Sequence, residues 1–265
     1  MPRSRADLGV DDARRRALVS PVVAGSVVSA PVPPGSAGGQ SLVDDLLADP
    51  PVIHPMGASE AAPMGVWSTD ESCYRFIAAR CGSDSRTLET GCGLSSVLFA
   101  GLGGAHICCT AGEDEAERVR TDIARRGLSG ARVSFRVGSS HQSLPQLEAE
   151  GTELDLVLID GSHGFPLPIL DWFYAGSMLR QGGVLIVDDL NLPAVGDLAR
   201  FVKRDPRWKQ LELNRKWGAW EKLKGGTLSE DWTEQTFYTT PRRQIEHFGS
   251  RVVAKIRHTL RTRSL

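Results

Sequence analysis

Apolar runs alternate with amphipathic stretches from about residue 87 to residue 204. The runs at 87–89, 105–110, 133–138, 154–160 and 183–188 are short and dense enough to be strands buried on both faces. Between them, residues 114–126, 144–149, 166–179 and 195–204 carry helical spacing, and a further helix is expected from Leu94. Repeated βα units of this length predict a largely parallel sheet with helices on both faces. The pattern then changes. Residues 208–213 and 216–223 are two strands joined by a turn too short for a helical crossover, so they must pair antiparallel. The fold expected is doubly wound, Rossmann-like α/β, its mostly parallel sheet closed by a C-terminal antiparallel hairpin.

The flanks read differently. Residues 1–40 open with Arg14-Arg15-Arg16 and run on through Pro, Gly, Ser, Ala and Val, too little apolar surface to offset ordering entropy, so a mobile tail is expected. A short helix at 41–48 ends at Asp49-Pro50-Pro51. Ser68-Thr69-Asp70-Glu71 fits a capping box opening a helix over 70–81, with Cys73, Phe76, Ile77 and Arg80 near one face. Beyond Gly225-Gly226 the chain is irregular, with Trp232, Phe237 and Tyr238 expected to pack back. Residues 241–262 form a basic helix with Ile245, Phe248, Val252, Ile256 and Leu260 on one face. The organisation expected is a tail (1–40), a main domain (41–226, core 65–225) and an extension (227–265).

Composition narrows the class only a little. The net charge of −1 divides into +6 over residues 241–265 and −7 over the rest, and the body intersperses both signs, which argues against a nucleic-acid-binding face. Two readings remain for the basic helix: attachment to an anionic membrane surface, or, more in keeping with its modest apolar face, docking on its own domain or on a second copy in a homo-oligomer. Five cysteines, at 73, 81, 92, 108 and 109, are odd in number and lack zinc-ligand spacing, so reduced thiols in a cytoplasmic protein are expected. No apolar stretch reaches the length of a membrane span, and Gly25, Ser26, Ser29 and Pro31 break the one segment that could imitate a signal peptide.

Two stretches carry candidate chemistry. The first, Leu88-Glu89-Thr90-Gly91-Cys92-Gly93-Leu94-Ser95-Ser96, places two glycines at a strand-to-helix bend, where the backbone can approach a ligand and a helix N-terminus faces an anion. A carboxylate at Glu89 would repel a pyrophosphate but attract an α-ammonium, which favours S-adenosylmethionine over NAD. The second comprises Asp160, His163, Asp188 and Asp189. Asp160 and Asp188 end neighbouring strands, so these carboxylates converge where ligands bind in such folds and would repel one another without a cation, Mg²⁺ or Mn²⁺ by ligand type.

Together with Leu-Val-Leu-Ile-Asp-Gly-Ser-His at 156–163 and Gly-Gly-Val-Leu-Ile-Val-Asp-Asp at 182–189, the glycine turn resembles class I S-adenosylmethionine-dependent methyltransferases, closest to the bacterial sugar O-methyltransferases of the macrocin type. The resemblance covers about residues 65–225. It implies that Glu89, Gly91, Cys92 and Gly93 hold the methionine part of the cofactor, that Asp160 is metal ligand and cofactor neighbour, that His163 is the base, and that Asp188 and Asp189 complete the metal site. The acidic residue that usually binds ribose is Thr110 here, with Glu113 as a substitute or simply a solvated first-turn residue. Ser139 and Ser140 stand where an acidic adenine contact is usual.

The small-molecule acceptor would be a sugar or other small secondary metabolite, methylated on a hydroxyl that a divalent cation acidifies. Against this stand the bland readings: Asp160 touches cofactor only, Asp188 and Asp189 cap a loop, and His163 is a loop histidine. His106 reads as structural and His141 as shaping the adenine loop. Residues 164–166 with Trp172, Phe173 and Tyr174 are candidates for an acceptor pocket, helix packing being the expected role for at least two of those three aromatics. Rival functions are a metal-independent N- or carboxyl-methyltransferase, a dinucleotide-binding protein, which lacks the third fingerprint glycine here, and a non-catalytic Rossmann-like module.

Overall fold

A computed structural model of the chain describes residues 34–59, 61–228 and 231–235. The first 33 residues, Phe237, Tyr238 and the basic helix expected at 241–262 lie outside the described residues. Two short helices lead in, α1 (Ala37–Ala48) and α2 (Glu71–Ala78), with a two-residue ribbon, β1 (His54–Pro55) and β2 (Met64–Gly65), between them. Then strands and helices alternate: β3 (Arg86–Thr90), α3 (Leu94–Leu102), β4 (Ala105–Thr110), α4 (Glu113–Arg125), β5 (Val133–Val137), α5 (Ser140–Ala149), β6 (Leu154–Ile159), α6 (Leu167–Met178), β7 (Leu179–Val187) and α7 (Pro193–Val202). The hairpin β8 (Trp208–Leu213) and β9 (Gly218–Lys222) closes the domain.

One seven-stranded sheet results, in the order β5-β4-β3-β6-β7-β9-β8. The first five strands are parallel and the hairpin is antiparallel, so the expected doubly wound, Rossmann-like architecture with its closing hairpin is the one observed. Strand alternation explains the two cores. On β6, Leu156 and Leu158 face α1–α4, while Val157 and Ile159 face α5–α7. The chain winds outward from β3 to β5, then returns to lay β6 on the other side of β3. That reversal opens a crevice at the carboxyl ends of β3 and β6.

Several boundaries differ from the expected ones for local reasons. α1 starts at Ala37 because the Ser36 side chain accepts from Gly39 N at 3.2 Å. The capping box at Ser68 does not form: Asp70 is the N-cap, and Glu71 pairs with Arg75 at 2.6 Å instead of turning back. Arg80 lies over the Phe76 ring at 3.5 Å rather than in the core. α5 begins four residues early, at Ser140, and takes Pro145 inside. Trp232, in a short 3₁₀ turn, is half-exposed. No helix among the described residues is long and apolar enough to cross a membrane.

Candidate active site

The crevice holds a cavity of about 880 Å³ whose wall includes Gly91 and Cys92 after β3, Glu115 on α4, Ser139 and Ser140 after β5, Asp160 and His163 after β6, and Asp188 and Asp189 after β7. Both candidate stretches therefore open into one space. Gly91 has φ +86°, and a Cβ there would lie 2.2 Å from the Asp160 carbonyl oxygen. The glycine is required by the close passage of the β6 terminus, which brings the two stretches together. Gly93 donates its N–H to Ser96 Oγ at 3.0 Å.

Glu89 is placed differently from the expected methionine contact. The carboxylate is buried on the α3 side of β3, where it accepts from Ser95 Oγ (2.6 Å) and Ser96 Oγ and lies 3.1 Å from His106 Nε2. His106 is bridged on to Thr87 and stacks on Phe99, which is the structural role expected of it. Glu89 thus ties the start of α3 to two strands from beneath the turn, and it does not line the cavity.

At the end of β4, Thr110 is buried and donates its hydroxyl to Glu115 Oε2 at 2.6 Å. Glu113 points outward and pairs with Arg120, the solvated first-turn reading. Glu115 is the acidic group at this position of the cavity wall. It lies two residues after Glu113, and only the fold tells which of α4's three leading acids, Glu113, Asp114 and Glu115, faces inward. Cys92 sits beside it, 3.2 Å from Thr110 Oγ1. The neighbouring Cys108 thiol brings Cys92 down to about 7 against the effect of burial, with His54 and Thr110 helping. All five cysteines are free. Ser139 Oγ meets His141 Nδ1 at 2.6 Å, so His141 does brace that loop.

The acidic half of the site is dominated by charge. His163 Nε2 lies 3.0 Å from Asp189 Oδ2, without the alignment of a hydrogen bond, and 3.9 Å from Asp160 Oδ1. Burial pushes the Asp160 carboxyl up to about 6; the His163 contact opposes this, and the Asp188 and Asp189 charges add to it. His163 is held above the ordinary imidazole value, by Asp160 first and against burial, with the Asp189 charge adding. Asp189 occupies the left-handed region, φ +58°, where Asp is one of the few side chains tolerated.

Two residues that sequence patterns did not single out complete this half. Thr69, before α2, donates to Asp188 Oδ1 at 2.6 Å, and Lys216, in the β8–β9 turn, pairs with Asp188 Oδ2 at 3.1 Å and with Asp189. Burial weakens the Lys216 charge, but the two carboxylates outweigh it and raise its pKa. Asp188 is thereby satisfied by protein. The donor atoms of Asp160, His163 and Asp189 all lie within 4.8 Å of one another, a hard-oxygen and imidazole set that fits a divalent cation. Asp188, expected beside them, is not among those atoms and is instead met by Thr69 and Lys216. The aromatic candidates also sort themselves: Trp172 is buried in the α6 core, Phe173 and Tyr174 pack on each other edge to face, and none of the three lines the cavity. Trp67, stacked on His54 at 4.8 Å, does line it.

Residues 88–190 match the family model described as a methyltransferase domain. No curated protein matches the chain. Solved structures resemble it at low identity. An O-methyltransferase from Bacillus cereus in complex with SAH is 21% identical, with TM-score 0.47, the match covering 71% of this chain and 92% of that one. The O-methyltransferase TomG from Streptomyces achromogenes, involved in tomaymycin synthesis and in complex with SAM, is 18% identical, with TM-score 0.46, covering 54% and 74%. The span matched by the methyltransferase-domain model includes the glycine turn, Glu115 and the Asp160–Asp189 cluster, and leaves Thr69 and Lys216 outside.

Proposed function

We propose that the protein transfers a methyl group from S-adenosylmethionine to a hydroxyl of a small acceptor, a sugar or similar metabolite, with help from a divalent cation. One observation carries this reading: the glycine turn and the His163 cluster face each other across a single cavity. The N-terminus of α3 and the Gly91–Gly93 backbone would hold the methionine carboxylate, and Asp160, rather than Glu89, is the acid exposed to its ammonium. Glu115 would accept from the ribose hydroxyls, its orientation fixed by Thr110. Ser139 and Ser140 flank the space left for adenine.

His163 is the group able to take the hydroxyl proton, since it lies beside two carboxylates that stabilise the imidazolium it becomes. A divalent cation held by Asp160 and Asp189 would lower the pKa of the acceptor hydroxyl and leave His163 free to take its proton. Lys216 keeps Asp188 and Asp189 fixed and offsets part of their charge. Trp67, 62% exposed at the cavity wall, offers a flat apolar face for an acceptor ring.

The test is calorimetry with S-adenosylmethionine, S-adenosylhomocysteine and NAD, followed by methyl transfer to a panel of hydroxylated acceptors with and without EDTA. Binding of the first two ligands and EDTA-sensitive turnover are expected. Binding of NAD alone would overturn the cofactor assignment, and turnover indifferent to EDTA would leave the transfer but remove the cation.

A further inference from the structure

A second set of metal-ligating side chains lines the cavity, apart from the His163 cluster. His54 comes from the β1–β2 ribbon, Cys92 from the glycine turn and Glu115 from α4. One donor atom of each, an imidazole nitrogen, the Cys92 Sγ and a Glu115 carboxylate oxygen, lies within 4.8 Å of the other two. No spacing along the chain announces this set. Its members meet only where the ribbon packs on the turn, so closely that a Cβ at Gly93 would touch Trp67, Val66 and His54.

The separations suit a tetrahedral ion. Zinc takes sulfur at about 2.3 Å and oxygen at about 2.0–2.2 Å, which sets two such ligand atoms roughly 3.6 Å apart. Cys92 Sγ and Glu115 Oε2 are 3.7 Å apart. Both remaining side chains are held in place. The Thr110 hydroxyl donates to Glu115 Oε2 at 2.6 Å and orients the carboxylate from behind. His54 is buried and stacked on the Trp67 ring, 7° from parallel. The Trp67 N–H donates to His54 Nδ1 at 3.4 Å, a bond long enough to yield to a cation whichever ring nitrogen takes it.

Ligand chemistry decides which ion. Thiolate and imidazole with one carboxylate suit Zn²⁺ and leave a fourth position open, whereas Mg²⁺ and Mn²⁺ suit the oxygens of Asp160 and Asp189. The thiol proton leaves as the ion binds. We infer that His54, Cys92 and Glu115 form a Zn²⁺ site inside the cofactor cavity, and that zinc bound there excludes the nucleoside. The exclusion rests on the cofactor reading given above, because it takes from ribose the Glu115 carboxylate; the zinc site itself does not. His54 lies outside the span matched by the methyltransferase-domain model, so the ribbon and not the matched domain supplies this ligand.

Co²⁺, which takes the place of zinc on the same ligands and is coloured, tests the site on the full chain. Titrating the reduced protein should raise a thiolate-to-cobalt charge-transfer band in the near ultraviolet, and Zn²⁺ should abolish it. Cys92→Ser should remove the band, and Asp160→Asn should leave it, since that carboxylate serves the other cluster. His54→Ala should weaken Zn²⁺ binding by about 100-fold or more, beyond the loss of an outer partner. No band, or a band that survives Cys92→Ser, overturns the site. By calorimetry, S-adenosylhomocysteine affinity should fall by about tenfold at a free Zn²⁺ concentration ten times its Kd. An unchanged affinity with the band present overturns the exclusion. Failure of zinc-free protein to bind S-adenosylhomocysteine overturns the cofactor reading and the exclusion with it, while the zinc site stands on the band alone.

Discussion

The two halves of the cavity are built by different means. On the β3–β5 side, the structure rests on hydrogen bonds between residues close in sequence: Gly93 to Ser96, Ser96 to Glu89, Thr110 to Glu115. On the β6–β7 side, charges from distant parts of the chain meet. Thr69 reaches Asp188 across 119 positions, and Lys216 reaches Asp189 across 27. In the first half the carboxylates are met by hydroxyls, Glu89 by Ser95 and Ser96 and Glu115 by Thr110. The second is a set of mutually repelling carboxylates, partly compensated, in which Asp160 and His163 are both displaced from their ordinary pKa values. Under the proposed function, cofactor binding falls to the first half and proton transfer to the second.

That comparison can be broken most decisively at His163. His163→Ala should lower kcat by about 10²–10⁴-fold, the usual worth of a general base, with S-adenosylhomocysteine affinity by calorimetry left within a factor of about two. Equal losses in both would mean the halves are not separable. Lys216→Met should come next. It strips the buried Asp188 of its cation and should cost roughly 3 kcal/mol in chemical denaturation, toward the low end for a broken buried pair because Lys216 is itself partly exposed. A stability change below about 1 kcal/mol would show that Thr69 alone suffices for Asp188.

On the β3–β5 side, Glu115→Gln should weaken S-adenosylhomocysteine binding by about tenfold, the loss of one charge-assisted hydrogen bond. Its control is Glu113→Ala, two residues away on the same helix, where an exposed ion pair with Arg120 is lost and binding should not move. Between these lies a smaller shift in His163 itself. Since Asp160 and Asp189 raise its pKa, the imidazole should lose its proton above pH 6.5 in metal-free protein, and NMR titration should show it. The neutral base, and hence turnover, is gained as pH rises through that midpoint. Added Mg²⁺ should move the midpoint down, because a nearby divalent cation disfavours imidazolium; an unmoved midpoint would place the cation elsewhere.

Much of this was legible in the chain. The βα alternation, the antiparallel closing hairpin and the carboxylates at successive strand ends follow from hydrophobic periodicity and from the rule that parallel strands share their carboxyl edge. The glycine turn was legible as a bend, but the reason for Gly91 was not: the Asp160 carbonyl that excludes a Cβ belongs to a strand seventy residues later. Glu89 reads as a ligand contact because strand-end carboxylates often are, yet its place on the α3 face of β3 points it under the turn.

By itself, the order of residues determined which side chains would reach the carboxyl edge of the sheet, since strand and helix periods are local properties. Which of them would face the cavity, and with what partner, was decided only when the sheet was assembled. Glu115 rather than Glu113, Lys216 beside Asp188 and Thr69 on Asp188 all depend on packing between elements. Electrostatic and hydrogen-bonding energies depend on distances in space, and those distances exist only in the folded molecule.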